Sequence, residues 1–229
     1  MNDEKLYKCL DLNGVGMYSG CCWHLPKNGK PGKWMPAVKG WLELCQRGYH
    51  LAKADQLWPW LAGPELYEAE GRGDSVRGSD KTAFRQARLV RRVETWNRRT
   101  ARLLACDIAE ALLPLYTGAF LDNVKGLDLL GRGIDVARQL AEGKPVGEEF
   151  TKIFRKIASM KGAMTNSGIA AVLACGRINP FQAYMDARLE AQWAQPREGF
   201  HDLGSYITER LFSYLYPGEE VESEDTEKI

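Results

Sequence analysis

The sequence predicts an α+β protein in which a small, mostly antiparallel β-rich region precedes an α-helical bundle. Three observations support this prediction. Apolar residues alternate in short runs before residue 95, they recur every three or four residues after it, and the chain ends in a segment dense in acidic side chains. We therefore expect a β-rich domain over residues 1–94, a helical bundle over residues 95–217 and a disordered acidic tail over residues 218–229.

The first part of the chain predicts a hairpin followed by a surface loop. Residues 5–12 alternate between apolar and polar side chains and are followed by Asn13-Gly14, a strong turn signal. Residues 15–24 then predict a returning strand. The segment from Pro26 to Pro36 is rich in glycine, proline and lysine, so it belongs on the surface.

The remainder of the β-rich region predicts short elements. Leucine, tryptophan and alanine residues at helical spacing favour a short helix over residues 53–61. Residues 66–70 predict a strand, residues 74–80 a loop containing glycine and serine, and residues 82–93 a further strand. Together these elements make a small, mostly antiparallel sheet with one short helix.

The second half predicts helices throughout. A helix of about 20 residues begins near Thr95, where apolar residues recur at three- and four-residue steps. Asn179-Pro180 supplies a capping side chain and a proline in the first turn of a later helix. The further predicted helices cover roughly residues 120–142, 147–161, 165–175, 180–195 and 200–216.

Composition and charge exclude several classes of protein. The formal net charge is +1, yet residues 1–117 carry 18 basic and 13 acidic side chains, which is too small an excess to indicate a nucleic-acid-binding protein by itself. The sequence has no run of 18 apolar residues and no signal peptide, so we expect a cytoplasmic protein without a membrane segment. Its six cysteines include no C-x-x-C pair, which is typical of reduced thiols. The sequence does not predict an oligomeric state.

Two motifs resemble those of an uncharacterised group of bacterial and phage proteins. They are Cys45-x-x-Gly48-Tyr49-His50 and Asp107-x-Ala109-Glu110-x-x-Leu113. In that group, a small N-terminal domain with a C-x-x-G-[FY]-H signature precedes helices similar to those of immunity-type proteins. The resemblance covers about residues 5–115 and implies a phage or mobile-element context. It favours a non-enzymatic, inhibitor-like or immunity-type protein that binds a host or competitor protein.

An alternative hypothesis is an enzyme that consumes NAD. The order of Tyr49, His50, Glu68 and Glu70 resembles the order of site residues in ADP-ribosyltransferase-like folds. There, an aromatic residue stacks on nicotinamide and a late glutamate stabilises a positively charged ribosyl centre. The first predicted strand carries Lys8 where those folds have histidine or arginine, so the resemblance is partial.

Zinc is a second alternative cofactor. Cys22, His24, Cys45 and His50 offer four side chains of the types that zinc prefers. Only Cys22-x-His24 has the close pairing usual for such ligands, and buried structural cysteines are the simpler interpretation. A catalytic role of Cys45 with His50 lacks an orienting third residue.

Basic and aromatic side chains form a third set of candidates. Seven arginines fall between residues 85 and 102, where they predict either ion pairs within the chain or a surface for an acidic partner or nucleic acid. Trp34 lies in the Pro26–Pro36 loop, and an exposed tryptophan is a preferred interface anchor. The candidate binding residues are therefore Trp34, Arg88, Arg91, Arg92, Arg98 and Arg99.

Overall fold

A four-stranded antiparallel sheet followed by six helices forms the chain and confirms the predicted α+β class. The computed structural model describes residues 5–119, 124–160, 166–195 and 202–218. The strands are β1 (Leu6–Leu10), β2 (Tyr49–Leu51), β3 (Glu65–Arg77) and β4 (Thr82–Arg92). The helices are α1 (Arg98–Ala119), α2 (Val124–Ala141), α3 (Gly147–Ala158), α4 (Ser167–Cys175), α5 (Pro180–Ala194) and α6 (Leu203–Leu215).

The sheet is built around the long hairpin of β3 and β4, and its strand order is β1-β3-β4-β2. Strand β2 pairs only with the first residues of β4, so the rest of that edge needs other partners. The predicted surface loop supplies them, because the backbone amides of Gly32, Met35 and Val38 donate hydrogen bonds to carbonyls of β4. The loop therefore covers an edge that would otherwise expose unpaired backbone groups.

Three of the predicted elements in the first half were wrong. Residues 15–24 form no strand, because glycines at positions 14 and 20 adopt positive φ angles and turn the chain repeatedly. Residues 53–61 contain only a 3-10 turn at Trp58–Trp60, since Pro59 cannot donate a helical hydrogen bond. Most of the predicted 74–80 loop belongs to β3, which continues to Arg77 past an irregularity in its pairing after Arg72.

The helical prediction is confirmed within the described residues. Asn97 accepts hydrogen bonds from the first amides of α1, and Asn166 and Asn179 cap α4 and α5 in the same way. Residue 195 is described and follows the end of α5. Residues 120–123, 161, 165 and 200–201 of the predicted helices lie outside the described residues. All but the first residue of the predicted 218–229 tail also lies outside them.

The sheet and the helices share one hydrophobic cluster. Trp96, only 2% exposed, follows β4 and donates a hydrogen bond from its indole to the Gly63 carbonyl at 3.0 Å. Its ring packs edge-on against Tyr184 of α5, with 5.3 Å between the centroids. The Tyr184 hydroxyl in turn donates to the Trp58 carbonyl. The turns before β3 and helix α5 are therefore joined both by apolar packing around Trp96 and by buried hydrogen bonds.

A buried carboxylate ties three helices together. Asp107 of α1 is 2% exposed and accepts hydrogen bonds from Arg138 of α2 and from Arg210 and Tyr214 of α6. Arg138 also pairs with Glu110, one turn further along α1. The two acidic positions of the D-x-A-E motif are therefore explained by helix packing.

Candidate binding cavity

A cavity of about 650 Å³ lies between β1, β2 and the turns that precede β2. Its volume falls within the range of small-molecule sites in proteins. The first half of the chain supplies every one of its lining residues. No aspartate or glutamate belongs to the described residues that line it, whereas two lysines and several aromatic side chains do.

Aromatic side chains form one wall of the cavity. Trp23 and Tyr49 pack edge to face, with 5.4 Å between ring centroids and an interplanar angle of 76°. The Tyr49 hydroxyl donates to the Pro36 carbonyl, which fixes the ring against the loop that covers β4. Trp60 lines the cavity from the 3-10 turn. Tyr18, which is 79% exposed, also lines it. Flat apolar ligand groups could stack against such walls.

The two lysines of the cavity have different surroundings. Lys8 of β1 donates to the His50 carbonyl at 3.2 Å, and no carboxylate of the described residues lies within ion-pair distance of it. Burial lowers the pKa of Lys8. Lys81 pairs with Asp80 at 3.0 Å, and its ammonium lies 3.7 Å from the centroid of the Trp60 ring. Both ammonium groups add to the effect of burial in lowering the pKa of His50, while Asp80 acts in the opposite direction.

The C-x-x-G-Y-H motif forms a turn that is closed by its histidine. Cys45 and Gly48 adopt φ angles of 65° and 137°, and the second of these is open essentially to glycine alone. The backbone amide of Cys45 donates to Nε2 of His50 at 3.0 Å. His50 therefore accepts a hydrogen bond as a neutral imidazole and holds the turn that forms one side of the cavity.

We expect the His50 contact to make stability depend on pH. Burial is the largest cause that lowers the pKa of His50 from 6.5, so the unfolded chain takes up this proton first as the pH falls. The contribution is complete above pH 6.5 and is lost below it. Thermal melts between pH 7.5 and 5.5 should show a smaller loss of stability for His50→Gln than for the wild type. His24→Gln, at an exposed histidine, is the control and should keep the wild-type profile.

The residues of the ADP-ribosyltransferase hypothesis separate into two groups. Tyr49 and His50 line the cavity, but Glu68 and Glu70 do not. Glu68 accepts two hydrogen bonds from Arg91 and one from Tyr216, and Glu70 pairs with Arg88. Burial alone would raise the pKa of Glu68, but the hydrogen bonds from Arg91 and Tyr216 lower it. Both carboxylates thus have partners within the chain.

Most of the candidate arginines also have partners within the chain. Besides the pairs of Arg88 and Arg91, Arg92 lies 3.6 Å from Glu65 and 3.4 Å from Glu94. Arg98 and Arg99 are exposed at the start of α1. The Trp34 ring is half-buried, with the guanidinium groups of Arg72 and Arg88 at 4.1 and 4.7 Å from its centroid. Trp34 is therefore part of a stacked arrangement on the sheet.

The four residues of the zinc hypothesis do not form one site, although Cys45 and His50 are neighbours in the same turn. Within the described parts of the chain, no group of three or more histidine, cysteine, aspartate or glutamate side chains could hold a metal ion. Cys22 and His24 are exposed, and Nε2 of His50 already accepts the Cys45 amide. Cys9 lines the cavity, but burial raises the pKa of its thiol to about 11, which disfavours a reactive thiolate.

Three cavity residues had no local sequence signal. Trp23, Trp60 and Lys81 come from a glycine-rich turn, a 3-10 turn and the residue just before β4. Their meeting depends on how β2 pairs with β4 and on the path of the chain between β1 and β2. A tryptophan beside glycine-rich turns and a lysine opening a strand are too common to predict a site.

An exposed apolar face on α5 is a second feature of the molecule. Leu189 and Trp193 lie one helical turn apart, with 44% and 74% of their surfaces exposed. The opposite face of the helix, including Tyr184 and Ala191, is fully buried. No helix within the described residues is both long enough and apolar enough to cross a membrane.

The functional assignment of this chain rests on the geometry described above. No protein-family model, curated protein or solved structure matches the chain significantly.

Proposed function

We propose that this chain is a non-enzymatic binding protein and that the cavity of its first half is the principal binding site. The observation that carries the proposal is a cavity of about 650 Å³ lined by aromatic side chains and two lysines, without a lining carboxylate in the described residues. Concave, largely apolar sites with a few polar groups are the usual form of small-ligand sites.

The engagement of the candidate catalytic groups supports a binding role over a catalytic one. A transferase of the ADP-ribosyl type needs a carboxylate beside the positively charged reacting centre. Glu68 and Glu70 do not line the cavity and are paired with Arg91 and Arg88, and His50 is engaged by the Cys45 amide. The NAD-consuming alternative predicts NAD loss that disappears in Glu70→Gln, whereas the binding proposal predicts no NAD loss in either protein.

The cavity proposal can be tested with N-phenyl-1-naphthylamine, a neutral aromatic probe whose fluorescence rises in apolar surroundings. The wild type should bind it with saturation. Ser19→Trp, which places a large ring at an exposed residue lining the cavity, should weaken binding by about tenfold or more. The matched control is Ser213→Trp on the exposed surface of α6, which should bind as the wild type does. Equal binding by both variants would contradict the proposal.

A protein partner is the second candidate, and the exposed face of α5 is the observation that favours it. Leu189 and Trp193 offer an aromatic and an aliphatic side chain on one helical face, which suits an apolar groove in another protein. The resemblance to phage and immunity-type proteins makes this partner a host or competitor protein in the cytoplasm of a bacterium. Loss of a purified partner's binding in Trp193→Ala but not in Trp41→Ala, a second exposed tryptophan, is the expected result.

A further inference from the structure

The side chains that line the cavity also indicate the class of ligand that it takes. This inference rests on the proposed function. The lining combines two kinds of group that one small molecule would satisfy together: aromatic surfaces at Trp23, Tyr49 and Trp60, and ammonium groups at Lys8 and Lys81.

Lys8 is the strongest indication of an anionic ligand. Its ammonium group donates to the backbone carbonyl of His50. This neutral acceptor offsets only part of the hydration that the ammonium group loses. The Lys8 side chain is half-buried, and a charge partly removed from water without an opposite charge beside it is unfavourable. An anion entering the cavity would supply the missing charge. Within the described chain, the only other charged side chain lining the cavity is Lys81, which is also cationic.

Lys81 adds a second positive charge beside an aromatic ring. Its side chain is 9% exposed, and its ion-pair partner Asp80 is 46% exposed. Lys8 donates to the carbonyl of His50, and Lys81 directly precedes Thr82, which pairs with Leu51 next to His50, so both lysines reach the cavity near β2. Two ammonium groups lining one cavity suit a ligand group that carries more than one negative charge, such as a phosphate monoester.

The aromatic wall specifies the rest of the ligand. The Trp23 ring lies 5.4 Å from the Lys8 ammonium and packs against Tyr49, so a ring stacked there lies close to the positive charge. Aromatic side chains stack on heteroaromatic rings through their π-faces. A ligand whose ring and anionic group are joined by a short spacer would reach both the aromatic wall and the Lys8 ammonium.

We propose that the cavity binds an organic phosphate that carries an aromatic ring, with the phosphate at Lys8 and Lys81 and the ring against Trp23 and Tyr49. Nucleoside monophosphates belong to this class, and adenosine 5′-monophosphate is a suitable probe.

The test is competition against N-phenyl-1-naphthylamine by adenosine 5′-monophosphate, adenosine and inorganic phosphate. In the wild type, the monophosphate should compete at a concentration about tenfold or more below that of adenosine, because the phosphate gains charge-assisted hydrogen bonds. Inorganic phosphate alone should compete weakly, since it gains no stacking. Lys8→Met and Lys81→Met should each reduce the difference between the concentrations at which the monophosphate and adenosine compete. Lys39→Met, at an exposed lysine outside the cavity, should leave that difference unchanged.

The outcomes separate this inference from the proposed function. If the probe binds and adenosine competes as well as its monophosphate, the cavity is a binding site but the phosphate assignment is wrong. If inorganic phosphate competes as well as the monophosphate, the ring assignment is wrong. If the probe does not bind the wild type, the proposed function itself fails. Using two lysine variants, each with a measured melting temperature, guards against loss of binding through misfolding of one of them.

Discussion

Replacing Asp107 with alanine should lower the free energy of unfolding by about 3 kcal/mol, because two guanidinium groups and a tyrosine hydroxyl lose their common acceptor. For a chain of this size, the melting temperature should fall by roughly 6–12 °C. Calorimetry or circular dichroism would measure both quantities. Asp107→Asn keeps the shape but removes the charge, so we expect an intermediate loss.

The matched control for Asp107 is another carboxylate paired with arginine. Glu149 pairs with Arg132, and both side chains are more than half exposed. Exposed ion pairs contribute little, so Glu149→Ala should change stability by less than about 1 kcal/mol. A melting temperature for Asp107→Ala within about 2 °C of the wild-type value would mean that the packing of the three helices does not depend on this carboxylate.

The second large effect is expected at Trp96. Trp96→Ala should reduce the free energy of unfolding by about 3–5 kcal/mol, since it removes a fully packed aromatic ring and leaves a cavity between the sheet and α5. Trp96→Phe keeps much of the packing but removes the donor to the Gly63 carbonyl, so a loss of about 1–2 kcal/mol is expected.

Trp193→Ala provides the control, because it removes the same side chain from a site that is 74% exposed. We expect a change within about 0.5 kcal/mol. The comparison also tests whether the two halves fold together. Since one hydrophobic cluster spans them, Trp96→Ala should shift a single unfolding transition. Two transitions, only one of which moves, would contradict a shared core.

The elements that the sequence predicted well are those with local causes. The helices α4 and α5 follow asparagines whose side chains cap the first turn, and both were predicted close to their observed starts. The error at residues 53–61 has a local cause of another kind: the apolar spacing was helical, but Pro59 limits the segment to a 3-10 turn. The extension of β3 past Gly73 depends instead on pairing with β4.

The candidate site was less predictable because it depends on register. The motif drew attention to Tyr49 and His50, which do line the cavity, but their geometry gives His50 a contact to the Cys45 backbone. Glu68 lies opposite Arg91 only because β3 and β4 pair in one particular register. No single stretch of sequence specifies that pairing, and the same is true of the approach of Lys81 to the Trp60 ring.

Nuclear magnetic resonance of the tryptophan indole N–H groups would test the central claim most directly. The chain has seven tryptophans, of which Trp23 and Trp60 line the cavity and Trp193 lies on α5. Titration with N-phenyl-1-naphthylamine or adenosine 5′-monophosphate should shift the indole signals of Trp23 and Trp60 and leave that of Trp193 in place. Unchanged signals for both cavity tryptophans with either compound would contradict the assignment of this cavity as the binding site.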